Sequence, residues 1–161
     1  ELDQSDTYKA ITEFQKFTED YPDSRYRKEA TRLIFVMQDK LIEKEYAAAK
    51  LYFDLGTYFG TSSSSSSGNN YEACVVTAQN AISDFPYSER REDFAILIVR
   101  AKFELAEQSV ESKKVERFQN AIDEYHGFVN EYPKSKFLSK ATSLYNRAKA
   151  FLAKPQNAAQ S

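Results

Sequence analysis

Only two side chains in the chain could anchor familiar catalysis, His126 and Cys74, and each type occurs once in 161 residues. A general base needs a nucleophile within reach and a third group that orients it. The residues around His126 name neither, so it reads as a surface or partly buried structural histidine. Cys74 lies in Glu72-Ala73-Cys74-Val75-Val76, where packed repeat helices place small residues. It reads as a buried small hydrophobe rather than a reactive thiol. One Cys excludes an internal disulfide framework and a Cys-based zinc site. One His excludes the paired-histidine metalloprotease motif. Acidic pairs occur at Glu19-Asp20, Glu43/Glu45 and Glu92-Asp93, and the chain has no Trp. Without an aromatic sugar platform of Trp, these pairs read as solvated helix faces rather than glycosidase carboxylates. No phosphate-cradling or dinucleotide-binding glycine pattern is present. The expectation is therefore a protein without enzymatic activity, cofactor or metal.

Binding chemistry remains. The densest basic spots are Arg90-Arg91 and Lys113-Lys114, each a dipeptide flanked by acids. They read as solvated helix ends, with partner docking as the functional alternative. With 22 Lys+Arg against 24 Asp+Glu the net charge is -2, and the basic field that nucleic-acid binding requires is missing. The longest apolar run, Phe94-Ala95-Ile96-Leu97-Ile98-Val99, ends at Arg100, far short of the roughly 20 residues of a membrane-spanning helix. The opening Glu1-Leu2-Asp3-Gln4-Ser5 has no initiator Met and reads as the interior of a longer protein.

The elements that hold these residues repeat. Tyr21-Pro22-Asp23-Ser24, Phe85-Pro86-Tyr87-Ser88 and Tyr132-Pro133-Lys134-Ser135 share one punctuation. Upstream, Ala10-Ile11-Thr12-Glu13-Phe14-Gln15-Lys16-Phe17 aligns with Ala121-Ile122-Asp123-Glu124-Tyr125-His126-Gly127-Phe128 at an offset of 111; downstream, Ala30, Thr31 and Leu33 match Ala141, Thr142 and Leu144. Ile11, Phe14, Phe17 and Tyr21 fall at helical spacing, as do Phe118, Ile122, Tyr125 and Val129. The Pro ends each helix, and the Ser two residues later is expected to cap the next. A long second helix is expected from about 24 to 55, closed by Gly56 and Gly60, with a kink possible in geometry near Glu43-Lys44-Glu45. Helices are also expected from Ser88 to Ser109, with one broad stripe of Phe94, Leu97, Ile98, Ala101 and Leu105, and from Ser135 to Leu152.

Six serines, Ser62–Ser67, interrupt this order. Tyr52, Leu55, Gly56 and Phe59 follow the tetratricopeptide first-helix pattern, with Tyr for Trp. From Tyr52 to Pro86 is 34 residues, and removing the six serines leaves the 28 that the repeat requires. The Ser-rich loop 61–68 is thus expected in a helix-helix turn, outside the packing frame. The fold expected is all-α, a tetratricopeptide-like right-handed solenoid of helical hairpins. Residues 1–153 would form one domain of two and a half to three repeats, and 154–161 a disordered tail. The 11 Tyr and 12 Phe are expected to fill gaps between hairpins, with Tyr46 to Tyr71 as a crowded band suited to protein contact.

Tyr21-Pro22-Asp23-Ser24-Arg25-Tyr26, Ala30, Leu33, Phe35, Asp39-Lys40-Leu41 and Glu45-Tyr46, followed by Ala49 and Tyr52, carry a family likeness. Over about Tyr8 to Phe151 the chain resembles the C-terminal part of the BamD family, the tetratricopeptide lipoproteins of the outer-membrane β-barrel assembly (Bam) machine. The resemblance implies a non-catalytic scaffold at the periplasmic face of the cell outer membrane, held there by an N-terminal lipid anchor that this fragment lacks. It implies docking to the POTRA region of BamA, with other Bam subunits and unfolded outer-membrane proteins as further partners. Arg90, Arg91, Glu92, Lys113 and Lys114, as exposed charges on the last repeats, are the expected protein-binding residues. The alternative is another cell-envelope tetratricopeptide adaptor, of the Tol-Pal-associated type. A repeat-borne enzyme would require a polar cluster in a deep pocket around His126.

Overall fold

The computed structural model describes residues 4–56 and 69–154. Six helices are present among the described residues: α1 (Ser5–Asp20), α2 (Arg27–Leu55), α3 (Asn70–Asp84), α4 (Arg91–Glu107), α5 (Glu111–Glu131) and α6 (Leu138–Leu152). No strand occurs among the described residues. The protein is all-α, as its periodicity predicts, and its helices follow one another in the hairpin style of tetratricopeptide folds. The expected serine loop, Tyr58, Phe59, Gly60 and nearly all of the expected tail lie outside the described residues.

Three corners share one backbone. Tyr21, Phe85 and Tyr132 adopt φ/ψ of -128°/65°, -124°/64° and -123°/63°. Each donates its amide to the carbonyl four residues back, which ends the preceding helix at Asp20, Asp84 and Glu131. The amides of Ser24, Ser88 and Ser135 then close a four-residue turn onto the aromatic carbonyl, at 3.1, 3.0 and 3.1 Å. Proline suits the second position of such a turn because its ring presets φ. The serine hydroxyl accepts from the amide two residues on, at Tyr26, Arg90 and Phe137. This corrects the expected capping. The serine closes a further short turn, so the α-helices begin three residues later, at Arg27, Arg91 and Leu138.

Residues Glu1–Glu45 and Tyr46–Ser161 form two compact units, and the boundary falls inside α2. In the first unit Ile11, Ala30, Ile34, Leu41 and Ile42 are buried. The second is built on α4, which packs against α3, α5 and α6. A helix with neighbours on several sides becomes apolar all round. Phe94, Ala95, Ile96, Leu97, Ile98, Val99, Ala101, Phe103 and Ala106 are accordingly all buried. The single broad stripe expected from spacing underestimates this burial, and Leu105, assigned to that stripe, is only half-buried. Rings continue the core outward: Phe103 meets Phe118 at 5.6 Å and Phe118 meets Phe151 at 4.5 Å.

The last turns of α2 join this unit through aromatic contacts. Tyr46 meets Phe94 edge-on at 5.4 Å, and Phe53 meets Tyr71 at 5.7 Å. Arg90 lies over the Tyr46 ring and Arg100 over the Phe53 ring, at 4.7 and 4.3 Å. Gly56 ends α2 with a positive φ of 47°, a region that a side chain disfavours. A Cβ there would sit 2.6 Å from the Tyr71 hydroxyl oxygen, so the site excludes larger residues on two counts. Asn69 caps α3 by accepting from the Tyr71 amide at 2.8 Å.

Candidate interaction surface

The five charges expected to dock a partner occupy opposite ends of α4 and α5. Arg91 pairs with Glu131 and Lys102 with Glu124, and Phe103 touches Phe118. Rising numbers on α4 thus meet falling numbers on α5, so the two helices are antiparallel. Arg90, Arg91 and Glu92 sit where α4 begins, and Lys113 and Lys114 where α5 begins. The 17 residues of α4 separate the two groups by about 25 Å at 1.5 Å per residue.

At the first end the charges stitch two corners together. Arg91 donates to the Pro86 carbonyl at 3.1 Å and to the Glu131 carboxylate at 2.7 Å. The Tyr132 hydroxyl donates to the same carboxylate at 3.0 Å. The neighbouring Tyr132 hydroxyl and Glu131 carboxylate raise the Arg91 pKa, while burial raises that of Tyr132. Glu92 accepts from the Ser135 hydroxyl. Arg90 pairs with Asp93 at 3.2 Å besides covering Tyr46. These three residues are half-buried and their charged groups have partners inside the unit. Tyr87, between them and Pro86, is 98% exposed and held no place among the expected contacts. At the other end Lys113 is exposed, whereas Lys114 pairs with Glu111 at 2.6 Å and reaches over the Phe151 ring at 5.8 Å.

The two residues with catalytic potential are placed apart. Cys74 is fully buried on α3, and burial pushes its thiol from 9.0 up to about 12. A raised thiol pKa favours the neutral form in the fold. Its contribution to stability is present below the ordinary value and is lost as pH climbs from about 9 toward 12. His126 is exposed on α5, its ring edge-on to Tyr125 at 5.2 Å and Tyr145 at 5.3 Å. Tyr125 stacks on Tyr145 at 4.5 Å and shares a hydrogen bond with Thr142 at 3.2 Å. His126 thus forms the edge of an aromatic group between α5 and α6, not the wall of a deep pocket.

A groove of about 570 Å³ opens between α3, α4 and α5. Val75, Val76 and Leu105 give it an apolar floor, and Lys102, Arg117, Glu72, Glu116, Asp123 and Glu124 its charge. Lys102 meets Glu124 at 2.5 Å and Arg117 meets Glu72 at 3.0 Å, so both cations bridge neighbouring helices. Sequence spacing could not reveal this groove, because its residues come from three helices up to 55 positions apart, from Glu72 to Gly127.

An all-α protein of helical hairpins joined by a common corner, with an open groove on one unit, is the class that this architecture defines. Residues 1–63 match the family described as YfiO, outer membrane lipoprotein. The matched stretch contains α1 and the long helix α2, and ends before α3. No curated protein matches the chain. No helix among the described residues is long and apolar enough to cross a membrane.

Proposed function

We propose that the chain is a non-catalytic scaffold of outer-membrane β-barrel assembly that docks to the periplasmic POTRA region of BamA. The observation that carries this reading is the likeness of residues 1–63 to an outer membrane lipoprotein family. That stretch includes Asp39–Tyr52, the most specific part of the resemblance to the BamD family. The helical fold supports a role exercised through surfaces, since hairpin repeats present extended faces to other proteins. The internal pairing of Arg90, Arg91 and Glu92 narrows how they would serve: they hold the corners that shape a docking face, with the exposed Tyr87 and Lys113 as direct contacts. The outer membrane, at its periplasmic face, is the corresponding location.

Immobilised chain should retain purified BamA POTRA domains, and His126→Ala should leave retention unchanged. Tyr87→Ala should weaken it several-fold, as truncation of an exposed aromatic anchor does. A folded chain that fails to retain POTRA domains would remove this reading.

A further inference from the structure

We infer that the groove between α3, α4 and α5 binds an extended segment of a partner protein that carries two basic side chains flanking aliphatic residues. The inference does not depend on which assembly the chain serves. It rests on the charge left in the groove, the spacing of that charge, and an opening at one end.

Four carboxylates and two cations line the groove. Lys102 and Arg117 are matched by Glu124 and Glu72, and Arg117 also donates to the Ser109 hydroxyl at 2.7 Å. Glu116 and Asp123 remain, and among the described residues neither has a cationic partner within 4.0 Å. They share one face of α5 with Asn120 and Gly127, at steps of four, three and four residues. The seven-residue step from Glu116 to Asp123 spans about 10 Å along the helix. Three residues of polyproline II chain cover about 9 Å and bring a side chain back to the same face. A segment in that conformation with basic residues at its first and fourth positions therefore presents both to the carboxylates, and the residues between them can rest against Val75, Val76 and Leu105. Val76 is 54% exposed, a large aliphatic surface left to water. Asn120 lies between the two carboxylates and offers both a donor and an acceptor to a peptide backbone.

Gly127 completes the arrangement. It sits inside α5, where glycine costs about 0.5–1 kcal/mol relative to alanine. A Cβ at this position would meet nothing within 4 Å, so the fold itself does not require glycine. What glycine does is leave that end of the groove unfilled. The volume of about 570 Å³ lies within the range of roughly 300–1,000 Å³ typical of ligand clefts.

The test titrates the full chain into a fluorescein-labelled peptide, Ser-Lys-Val-Leu-Lys-Ser, read by anisotropy at low ionic strength. The counterpart with both Lys replaced by Glu serves as control. Saturable binding of the basic peptide is expected, with at least ten-fold discrimination over the acidic one and weakening as salt screens the charges. The double variant Glu116→Lys/Asp123→Lys should reverse the preference. Gly127→Leu should weaken binding at least ten-fold while circular dichroism shows an intact fold, and Lys134→Glu on a remote corner should change nothing. Failure of the basic peptide to bind, equal binding of both peptides, or indifference to the charge reversal would overturn the inference. So would a change in sedimentation showing that the groove is covered by a second copy of the chain. None of these outcomes touches the retention of POTRA domains, so the two readings fail separately.

Discussion

Two helix-corner-helix segments of this protein have the same local structure and different surroundings. One runs through α1 and the start of α2, the other through α5 and α6, offset by 111 residues. Their first helices end at Asp20 and Glu131 and their second helices begin at Arg27 and Leu138, in step with that offset. Their corner dihedrals agree within a few degrees. Burial does not agree. Ala121, Phe128 and Leu144 are buried beside α4, whereas the equivalent Ala10, Phe17 and Leu33 are half-buried. Tyr21 is 61% exposed and its equivalent Tyr132 is half-buried against Arg91 and Glu131. The corner is therefore a local device, encoded in four residues and indifferent to neighbours. Burial is supplied by whatever helix lies alongside.

Paired substitutions would break or sharpen this contrast. Phe128→Ala should cost about 3–5 kcal/mol in denaturant unfolding, the range for deleting a buried ring. Phe17→Ala, half-buried, should cost about 1–2 kcal/mol on area burial alone. Equal losses would show that the first segment is as well covered as the second. The two glycines should diverge in sign. Gly56→Ala should lose about 2 kcal/mol or more, because a left-handed residue and the contact with Tyr71 are both violated. Gly127→Ala should gain about 0.5–1 kcal/mol, read as a higher melting temperature.

Smaller effects separate the corners themselves. Ser24→Ala and Ser135→Ala each remove one hydroxyl-to-amide bond, worth about 0.5–2 kcal/mol. Ser135→Ala should lie at the upper end, since it also deprives Glu92 of a donor. The smallest contrast is between acids. Glu131→Gln should cost about 0.5 kcal/mol at most, given its half-exposed pair with Arg91. Glu29 pairs with Arg32 at 2.6 Å on the open surface of α2, which lowers its pKa. Glu29→Gln should leave the unfolding midpoint unchanged, because solvent screens that pair.

Much of this architecture was legible because it is written locally. Aromatic-Pro-x-Ser identifies a turn by proline geometry and serine chemistry, and three copies announce the repeat. Cys74 could be placed by its small neighbours. What escaped was one local detail and several non-local ones. The hydroxyls of Ser24, Ser88 and Ser135 act a turn earlier than capping statistics suggest, a difference of three residues that spacing cannot resolve. The full burial of α4 depends on several neighbours, and a run such as Phe94–Val99 does not say how many it has. Arg90, Arg91 and Glu92 read as solvated charges because their partners Tyr46, Glu131 and Ser135 lie 40 or more positions away. The groove shares that cause.

Amide hydrogen exchange of the full chain, followed by mass spectrometry with and without the BamA POTRA region, tests the account most directly. Alone, peptides from α4 and α5 should exchange most slowly and those from residues 5–45 faster. With saturating POTRA domains, a contiguous set of peptides should gain protection. Superimposable profiles in the presence and absence of POTRA domains, from a folded chain, would contradict the proposed scaffold role.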